Sequence, residues 1–457
     1  MTKKKNTQVT VGFVALGCPK NVVDSERMLA EIVQAGYLLA ATPESADVVV
    51  INTCGFIEPA KLESLDAIDG AIESKKRGKV KKVIVAGCLA QRLGEPLLDE
   101  AQGIDAVVGL EHRDSIVNVI RETLAAETPL VFHGPTPETI ADDRVRLRIG
   151  PTHSAYLRVS EGCSHRCSFC TIPAIRGPFR SKPAQKVLDE ARELVGSGVV
   201  ELNVIGQDTT MYGRDLRLPG ALASLLRQME QIPDLSWIRL LYAYPTGIDD
   251  GLIDTIAGSA KIVRYLDVPI QHASNGVLKA MRRPDSQDDL RRLVEKLRAA
   301  MSDIVLRTTV IVGFPGETQG DFDELLEFIR WARFDALGAF TYFPEAGTPA
   351  AEMPDQIPDE VKQDRFDRLM LAQQEIAFAR NRDRIGGTFA CLVDSRDPDP
   401  ARGGKRRSRP TGRGRFYGQA PDIDSACLIQ GCTAEPGRFV NARVTGVQDY
   451  DLVVEQL

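Results

Sequence analysis

No stretch of this 457-residue chain is apolar over the ~18 residues that a bilayer-crossing helix requires. The opening MTKKKNTQVTVGF is basic but has neither an apolar core nor a small-residue cleavage site, so it does not read as a secretion signal. Positive charge is not in excess: 57 Lys and Arg face 63 Asp and Glu, a net −6, which argues against a general nucleic-acid coat. The five histidines (His112, His133, His153, His165 and His272) form no cluster, and no internal repeat is evident. With 43% hydrophobic and 26% charged residues, composition excludes disordered, collagen-like and coiled-coil chains. The expectation is a soluble, cytoplasmic protein with no membrane partner. At about three times the ~150 residues of a typical domain, it should have two to four domains.

Cysteine is the entry out of proportion. There are nine, an odd number, in a compartment expected to be reducing. A disulfide framework is therefore disfavoured, and metal or redox chemistry is favoured.

Three regions differ in pattern. In the first (9–125), the apolar runs 9–16, 47–52, 82–87 and 105–110 alternate with helical patterns over Asn21–Gln34, Pro59–Ser74 and Asp114–Ala125. Continuous Val/Ile runs between helices predict a parallel sheet covered on both faces, in a doubly wound α/β domain. Residues 126–148 carry Pro and Thr without clear period and read as a linker. The second region (149–387) has candidate strands at 155–160, 200–206, 238–244, 264–270, 303–313 and 336–343. Six βα units suit a partial barrel rather than an eight-stranded one. A long helix over Pro358–Arg384 stops at Gly386-Gly387. The last region (388–457) consists of short alternating runs broken by Gly, Pro and Asp, the pattern of a small all-β barrel.

The string EGCSHRCSFCTIP places Cys163, Cys167 and Cys170 in a CxxxCxxC triplet just after the first barrel strand. A four-iron cubane normally takes four cysteine ligands, so three leave one iron open. Structural thiols or a zinc knuckle are the alternatives. Zinc wants a fourth ligand nearby, and His165, two residues from each flanking cysteine, is badly placed to supply it. The second set is Cys18 in LGCPKN, Cys54 in INTCGF and Cys88 in VAGCLAQR. Each lies just beyond the C-terminal end of a predicted parallel strand, and in a doubly wound sheet those ends share one crevice. Three unrelated buried cysteines are the alternative there. Cys391, Cys427 and Cys432 have no ligand-like spacing and read as small buried hydrophobes.

CxxxCxxC after strand one of a βα barrel resembles the radical S-adenosylmethionine superfamily. In that family the open iron binds the amino and carboxylate groups of S-adenosylmethionine. Phe169 resembles the aromatic beside the adenine. VIVGFPGET, with Gly313 and Gly316, resembles the strand-five motif under it. Gly206 and Gln207 stand where the family contacts ribose or the methionine moiety. With the second three-Cys set and a terminal segment resembling the TRAM domain, essentially the whole chain looks like the methylthiotransferase family. That resemblance implies a flavodoxin-like first domain, a radical barrel and a TRAM barrel. Two branches differ in substrate, an adenosine in tRNA or an aspartate in ribosomal protein S-twelve. ALGCPKN rather than a GCQMN-like string, LLYAYP, DVPIQHAS, YFPEAGTPA and PDIDS look like the ribosomal-protein branch, so the tRNA enzyme is the alternative.

The resemblance implies two 4Fe-4S clusters, on Cys163, Cys167 and Cys170 and on Cys18, Cys54 and Cys88. S-adenosylmethionine would be both radical source and methyl donor. The product would be a thiomethyl group on the β-carbon of the aspartate, and the two clusters should face each other across the domain interface. An electron donor such as flavodoxin or ferredoxin is implied. No general base could be named. One departure is the stretch 401–415, with seven Lys or Arg and no acid, longer and more basic than the branch leads one to expect. It reads as a solvated loop, with contact to ribosomal RNA as the functional alternative.

Overall fold

The computed structural model describes residues 8–396 and 411–457. Its first sheet has six parallel strands: β1 (Thr10–Ala15), β2 (Leu38–Leu39), β3 (Val48–Thr53), β4 (Lys82–Gly87), β5 (Ala106–Val108) and β6 (Leu130–Phe132). The spatial order β2-β1-β3-β4-β5-β6 is the flavodoxin-like order extended by one strand. Every residue of β3 is buried, as a strand covered on both faces must be. β2 and β6 escaped the sequence reading, and β6 falls inside the stretch read as linker. Strands of two and three residues at the sheet edges carry too little apolar run to register.

The second sheet follows the expected units. β7 (Ser154–Arg158) leads into a short antiparallel pair, β8 (Ser160–Glu161) with β9 (Arg180–Ser181), that brackets the CxxxCxxC loop. Then come β10 (Glu201–Ile205), β11 (Trp237–Leu240), β12 (Ile262–Asp267), β13 (Val305–Val312) and β14 (Ala336–Thr341). The order β14-β13-β12-β11-β10-β7 is parallel and open, a partial barrel. The long helix Asp359–Asp383 closes this region. β15 (Thr388–Arg396), β16 (Thr411–Phe416), β17 (Cys427–Gln430), β18 (Phe439–Gln448) and β19 (Asp451–Gln456) form a closed barrel. Cys391, Cys427 and Cys432 are buried in its core, as small hydrophobes should be.

The small barrel packs on residues of the open sheet. Ile205, Trp237, Tyr265 and Val305 share one apolar cluster with Leu392, Phe416 and Val454. Beside it Arg415 pairs with Glu201 (2.8 Å) and Asp394 (2.8 Å) and is itself buried. This corrects the reading of 401–415 as one solvated basic loop: Arg415 is a core cation of β16, and half-exposed Arg413 lies 3.6 Å from Asp451. Residues 401–410 lie outside the described residues. The PDIDS string explains itself here, since Asp422 and Asp424 accept hydrogen bonds from Tyr156 (2.8 Å) and Tyr265 (2.7 Å) of the partial barrel.

A second junction joins the first domain to the partial barrel. The helix Pro19–Gln34 opens on a proline, and its polar side is as buried as its apolar one: Lys20, Asn21, Asp24, Glu26 and Arg27 are all covered. Arg158, fully buried, donates to Asp24 (2.7 Å) and Asp143 (2.6 Å). Arg113 pairs with Glu161 at 3.0 Å and Asp24 at 3.1 Å, and Lys182 bridges Asp143 and Glu190 at 2.7 Å each. Burial alone would raise these acids. The surrounding guanidiniums overcome it and hold Asp24 and Glu161 below their ordinary values of 3.8 and 4.5.

Arg158→Met would leave Asp24, Asp143 and Glu161 buried with a missing partner. It should cost about 3–5 kcal/mol of unfolding free energy, read from the denaturant midpoint. The depressed carboxylates bind protons more weakly folded than unfolded, so their stabilisation is present above pH ~4.5 and is lost as pH falls further.

Candidate functional site

Cys18, Cys54 and Cys88 lie at the carboxyl ends of β1, β3 and β4. Cys18 is the N-cap of the helix Pro19–Gln34, Cys54 follows β3 directly, and Cys88 opens the helix Cys88–Leu93. Glycine lets the three turns crowd together. Gly17 sits at φ 89°, and a Cβ there would lie 2.8 Å from the Cys54 Cβ. Gly87 sits at φ 98°, where a Cβ would meet the Thr53 carbonyl at 2.6 Å. Asn21 then ties the turns together, its Nδ2 donating to the carbonyls of Leu16 (2.7 Å) and Thr53 (3.0 Å).

The CxxxCxxC loop is pinned from the other side. The Ser168 amide donates to the Met281 carbonyl at 3.1 Å, its hydroxyl to Ala280 at 2.7 Å, and its own carbonyl accepts from Ala350. His165 is engaged by the partial barrel: Nε2 lies 2.6 Å from Asp208 Oδ2, and the ring stacks on Tyr244 at 3.9 Å. This is the structural use of the LLYAYP string. Tyr244 packs the cysteine loop, and Tyr242 lies under Lys20 of the first domain, whose Nζ is 3.3 Å from the ring centroid.

The expected S-adenosylmethionine contacts fall in two places. Phe169 joins Phe314, Tyr342, Met281 and Val277 in one apolar cluster, so the aromatic of the cysteine loop and the GFPGE turn are brought together. Gly313 turns at φ 73° over the Lys362 side chain, and Gly316 turns at φ 78° with open space around it. Gly206 packs so closely on Ser160 that a Cβ would lie 2.4 Å from its hydroxyl. Beside it the Gln207 amide has both its nitrogen and its oxygen buried with no partner among the described residues. A buried amide with four unmet hydrogen-bonding positions fits a polar ligand at the carboxyl end of β10.

The thiol sets fit iron–sulfur clusters by the chemistry of their donors. Burial pushes Cys163 up to about 11 and Cys170 and Cys88 up to about 12, so as free thiols they are protonated at neutral pH. Burial also raises Cys54. Cys18 is the exception, because Lys20 and Arg176 outweigh the effect of its burial and lower it. Among the described residues no three His, Cys, Asp or Glu side chains converge as they would to grip one metal ion. A cubane takes each cysteine on a different iron, so three cysteines leave one iron for another ligand.

The short helix after the CxxxCxxC loop meets the turn at Cys88, and the residues that bridge this interface were not read from the sequence. The short helix Ile172–Arg176 follows Cys170 and carries Arg176 into the first domain. One Arg176 nitrogen donates to Glu161 (2.6 Å). The other reaches Asp24 (3.0 Å), Asn21 (3.2 Å) and the Cys88 sulfur (3.4 Å). Ile175 packs on Cys88. Glu345, from YFPEAGTPA, accepts from the Glu58 amide just past Cys54 (3.0 Å) and pairs with Arg92 just past Cys88 (2.7 Å). No spacing rule links these positions. The only signal was charge inside otherwise apolar or motif-like strings.

Glu345→Ala should loosen this clamp without unfolding either domain. Limited proteolysis of the region around Gly55 is expected to quicken, with a stability loss of about 1–3 kcal/mol.

Comparison with known proteins agrees with this architecture. Residues 10–109 match the uncharacterized protein family UPF0004, 157–329 the radical SAM superfamily and 385–457 the TRAM domain. The ribosomal protein uS12 methylthiotransferase RimO of Geobacter sulfurreducens is 44% identical over 98% of this chain and 99% of its own. That of Symbiobacterium thermophilum is 46% identical over 98% and 91%. Among solved structures, the radical S-adenosylmethionine methyltransferase TsrM of Kitasatospora setae superposes with a TM-score of 0.53 at 15% identity, over 75% of this chain and 77% of that one. At that identity the likeness is one of fold. With such relatives spanning nearly the full length of both chains, the chain belongs to the ribosomal protein uS12 methylthiotransferase family of radical SAM enzymes.

Proposed function

We propose that this protein transfers a methylthio group to the β-carbon of an aspartate in ribosomal protein uS12. The observation that carries the reading is that Arg176, on the short helix after the CxxxCxxC loop, donates to the sulfur of Cys88 in the other three-cysteine set, in a chain related end to end to uS12 methylthiotransferases. Cys163, Cys167 and Cys170 would hold one 4Fe-4S cluster, and Cys18, Cys54 and Cys88 a second. S-adenosylmethionine would lie against the first, along Phe169, Gly206, Gln207, Gly313 and Gly316. When bound, these groups supply electron transfer, hydrogen abstraction from an unactivated carbon, sulfur and a methyl group, chemistry beyond any side chain.

What the chain contributes is position and exclusion of water. Asp208 and Tyr244 fix His165 and with it the cysteine loop. Gln207 offers amide donors and acceptors to the bound nucleoside or its methionine portion. Arg176 ties the helix after the CxxxCxxC loop to the first domain and donates to the sulfur of Cys88. An electron donor of the flavodoxin or ferredoxin class, and contact of the basic stretch with ribosomal RNA, belong to the same reading.

The tRNA alternative is disfavoured by the names its relatives carry. Anaerobically reconstituted protein should thiomethylate purified uS12 and leave tRNA nucleosides unchanged, both read by mass spectrometry. Modified tRNA with untouched uS12 would reverse the assignment.

A further inference from the structure

The long helix Asp359–Asp383, the start of β14 and the terminal barrel together line a cleft of about 330 Å³. That is the low end of the size range of small-ligand sites. None of the residues read as cluster ligands or S-adenosylmethionine contacts lines it. Asp335, Ala336 and Leu337 place it at the amino-terminal end of β14, whereas the cysteine loop and the GFPGE turn follow the carboxyl ends of their strands. Ile423 and Tyr450 in its wall are 42% and 41% exposed, so the cleft opens to solvent.

Its polar lining is out of balance. The side-chain nitrogens are engaged: Gln373 Nε2 donates to the Phe334 carbonyl (2.9 Å), Asn381 Nδ2 to the Tyr450 carbonyl (3.0 Å) and Gln419 Nε2 to Ser425 Oγ (3.1 Å). Arg384, the one cation in the lining among the described residues, donates to Asn381 Oδ1 (3.1 Å) and Asp335 Oδ1 (2.6 Å). Two oxygens are left over. Gln373 is only 3% exposed, and its Oε1 is buried with no partner among the described residues. The Asp424 side chain is 4% exposed. Its Oδ2 accepts from Tyr265 (2.7 Å) and the Ala420 amide (2.8 Å), but Oδ1 accepts no hydrogen bond, with Arg307 Nε standing off at 3.4 Å. Buried acceptors without donors are costly, so the cleft fits an occupant that brings donors. The carboxylates of Asp424 and Asp451 favour a positive one. Two oxygens are too few for calcium, which takes six to eight. Leu337, Met370, Phe416 and Ile423 make the rest of the wall apolar, which suits carbon behind the charged group.

We propose that this cleft binds a primary ammonium or guanidinium group carried on an aliphatic stem. Two sources present that chemistry, a free polyamine and a lysine or arginine side chain of the protein substrate, and the test separates them. Only its second arm rests on the reading that uS12 is the substrate.

In the first arm the full-length chain is titrated calorimetrically with 1,4-diaminobutane and with 1,4-butanediol, which has the same stem without the charge. The diamine should bind at one site and the diol at least about tenfold more weakly, the scale of hydrogen bonds to a charged group. Ala377→Leu, which fills the cleft without removing a polar group, should weaken diamine binding by a similar factor. Gln373→Met, which removes the open oxygen, should do the same and keeps the test valid if the Leu variant folds poorly. No diamine binding, which would mean a cleft holding water only, would overturn the proposal. So would equal binding of the diol, or undiminished diamine binding in both folded variants. In the second arm the reconstituted enzyme is assayed on uS12 with saturating diamine. A raised KM at unchanged kcat assigns the site to a basic side chain of the substrate, and an unchanged KM assigns it to a free amine. If wild type modifies no uS12 at all, the functional reading fails while the first arm still decides this inference.

Discussion

Replacing Cys163, Cys167 and Cys170 together with Ala should abolish S-adenosylmethionine cleavage and remove half of the iron. The reconstituted wild type is expected to hold about eight irons per chain, four for each cluster, and the variant about four. The three thiols sit on a loop fixed by Ser168 to the 280–281 and 350 segments, so the loop should keep its course without them. Loss of structure alone would show differently: truncating partly buried thiols leaves small cavities worth about 1–3 kcal/mol, with cleavage intact in the folded fraction. Iron analysis and chromatographic detection of 5′-deoxyadenosine on the same preparation distinguish the two. A variant that still cleaves S-adenosylmethionine contradicts the assignment.

The companion variant separates the two halves of the chemistry. With Cys18, Cys54 and Cys88 all changed to Ala, the barrel site is untouched, and S-adenosylmethionine cleavage should persist. Methylthiolation of uS12 should disappear, and iron should again fall to about four per chain. The turns that carry these cysteines are held by Gly17, Gly87 and Asn21 rather than by the thiols, so the crevice should survive. Unchanged iron content would end the second-cluster reading and the sulfur-delivering role of the first domain.

How far the site could be read from the sequence depends on how far apart its partners lie. CxxxCxxC is local, and the strand runs before Cys18, Cys54 and Cys88 are strong enough to place each thiol at a strand end. The sheet geometry does the rest. Arg158 and Asp24 lie 134 positions apart, and Arg176 and Cys88 lie 88 apart, so no pattern joins them. The helix Pro19–Gln34 shows the same limit from another side. Its 3.6-residue period correctly gives a helix, but Lys20, Asp24 and Glu26 look like a solvated face. They are buried because a second domain, rich in arginine at that surface, covers them. In the terminal barrel, Arg415 reads as one more charge in a basic run until Glu201 and Asp394 are seen around it.

The central claim is that the two thiol sets together serve to thiomethylate uS12. Mass spectrometry of uS12 and of tRNA nucleosides from cells lacking this protein tests it most directly, alongside cells re-expressing the wild type and the Cys18, Cys54 and Cys88 triple variant. The account predicts that the modified uS12 aspartate is lost in the deletion, restored by wild type, and not restored by the variant. All three strains should show unaltered tRNA. Thiomethylated uS12 persisting in the deletion, or a change confined to tRNA, would contradict it.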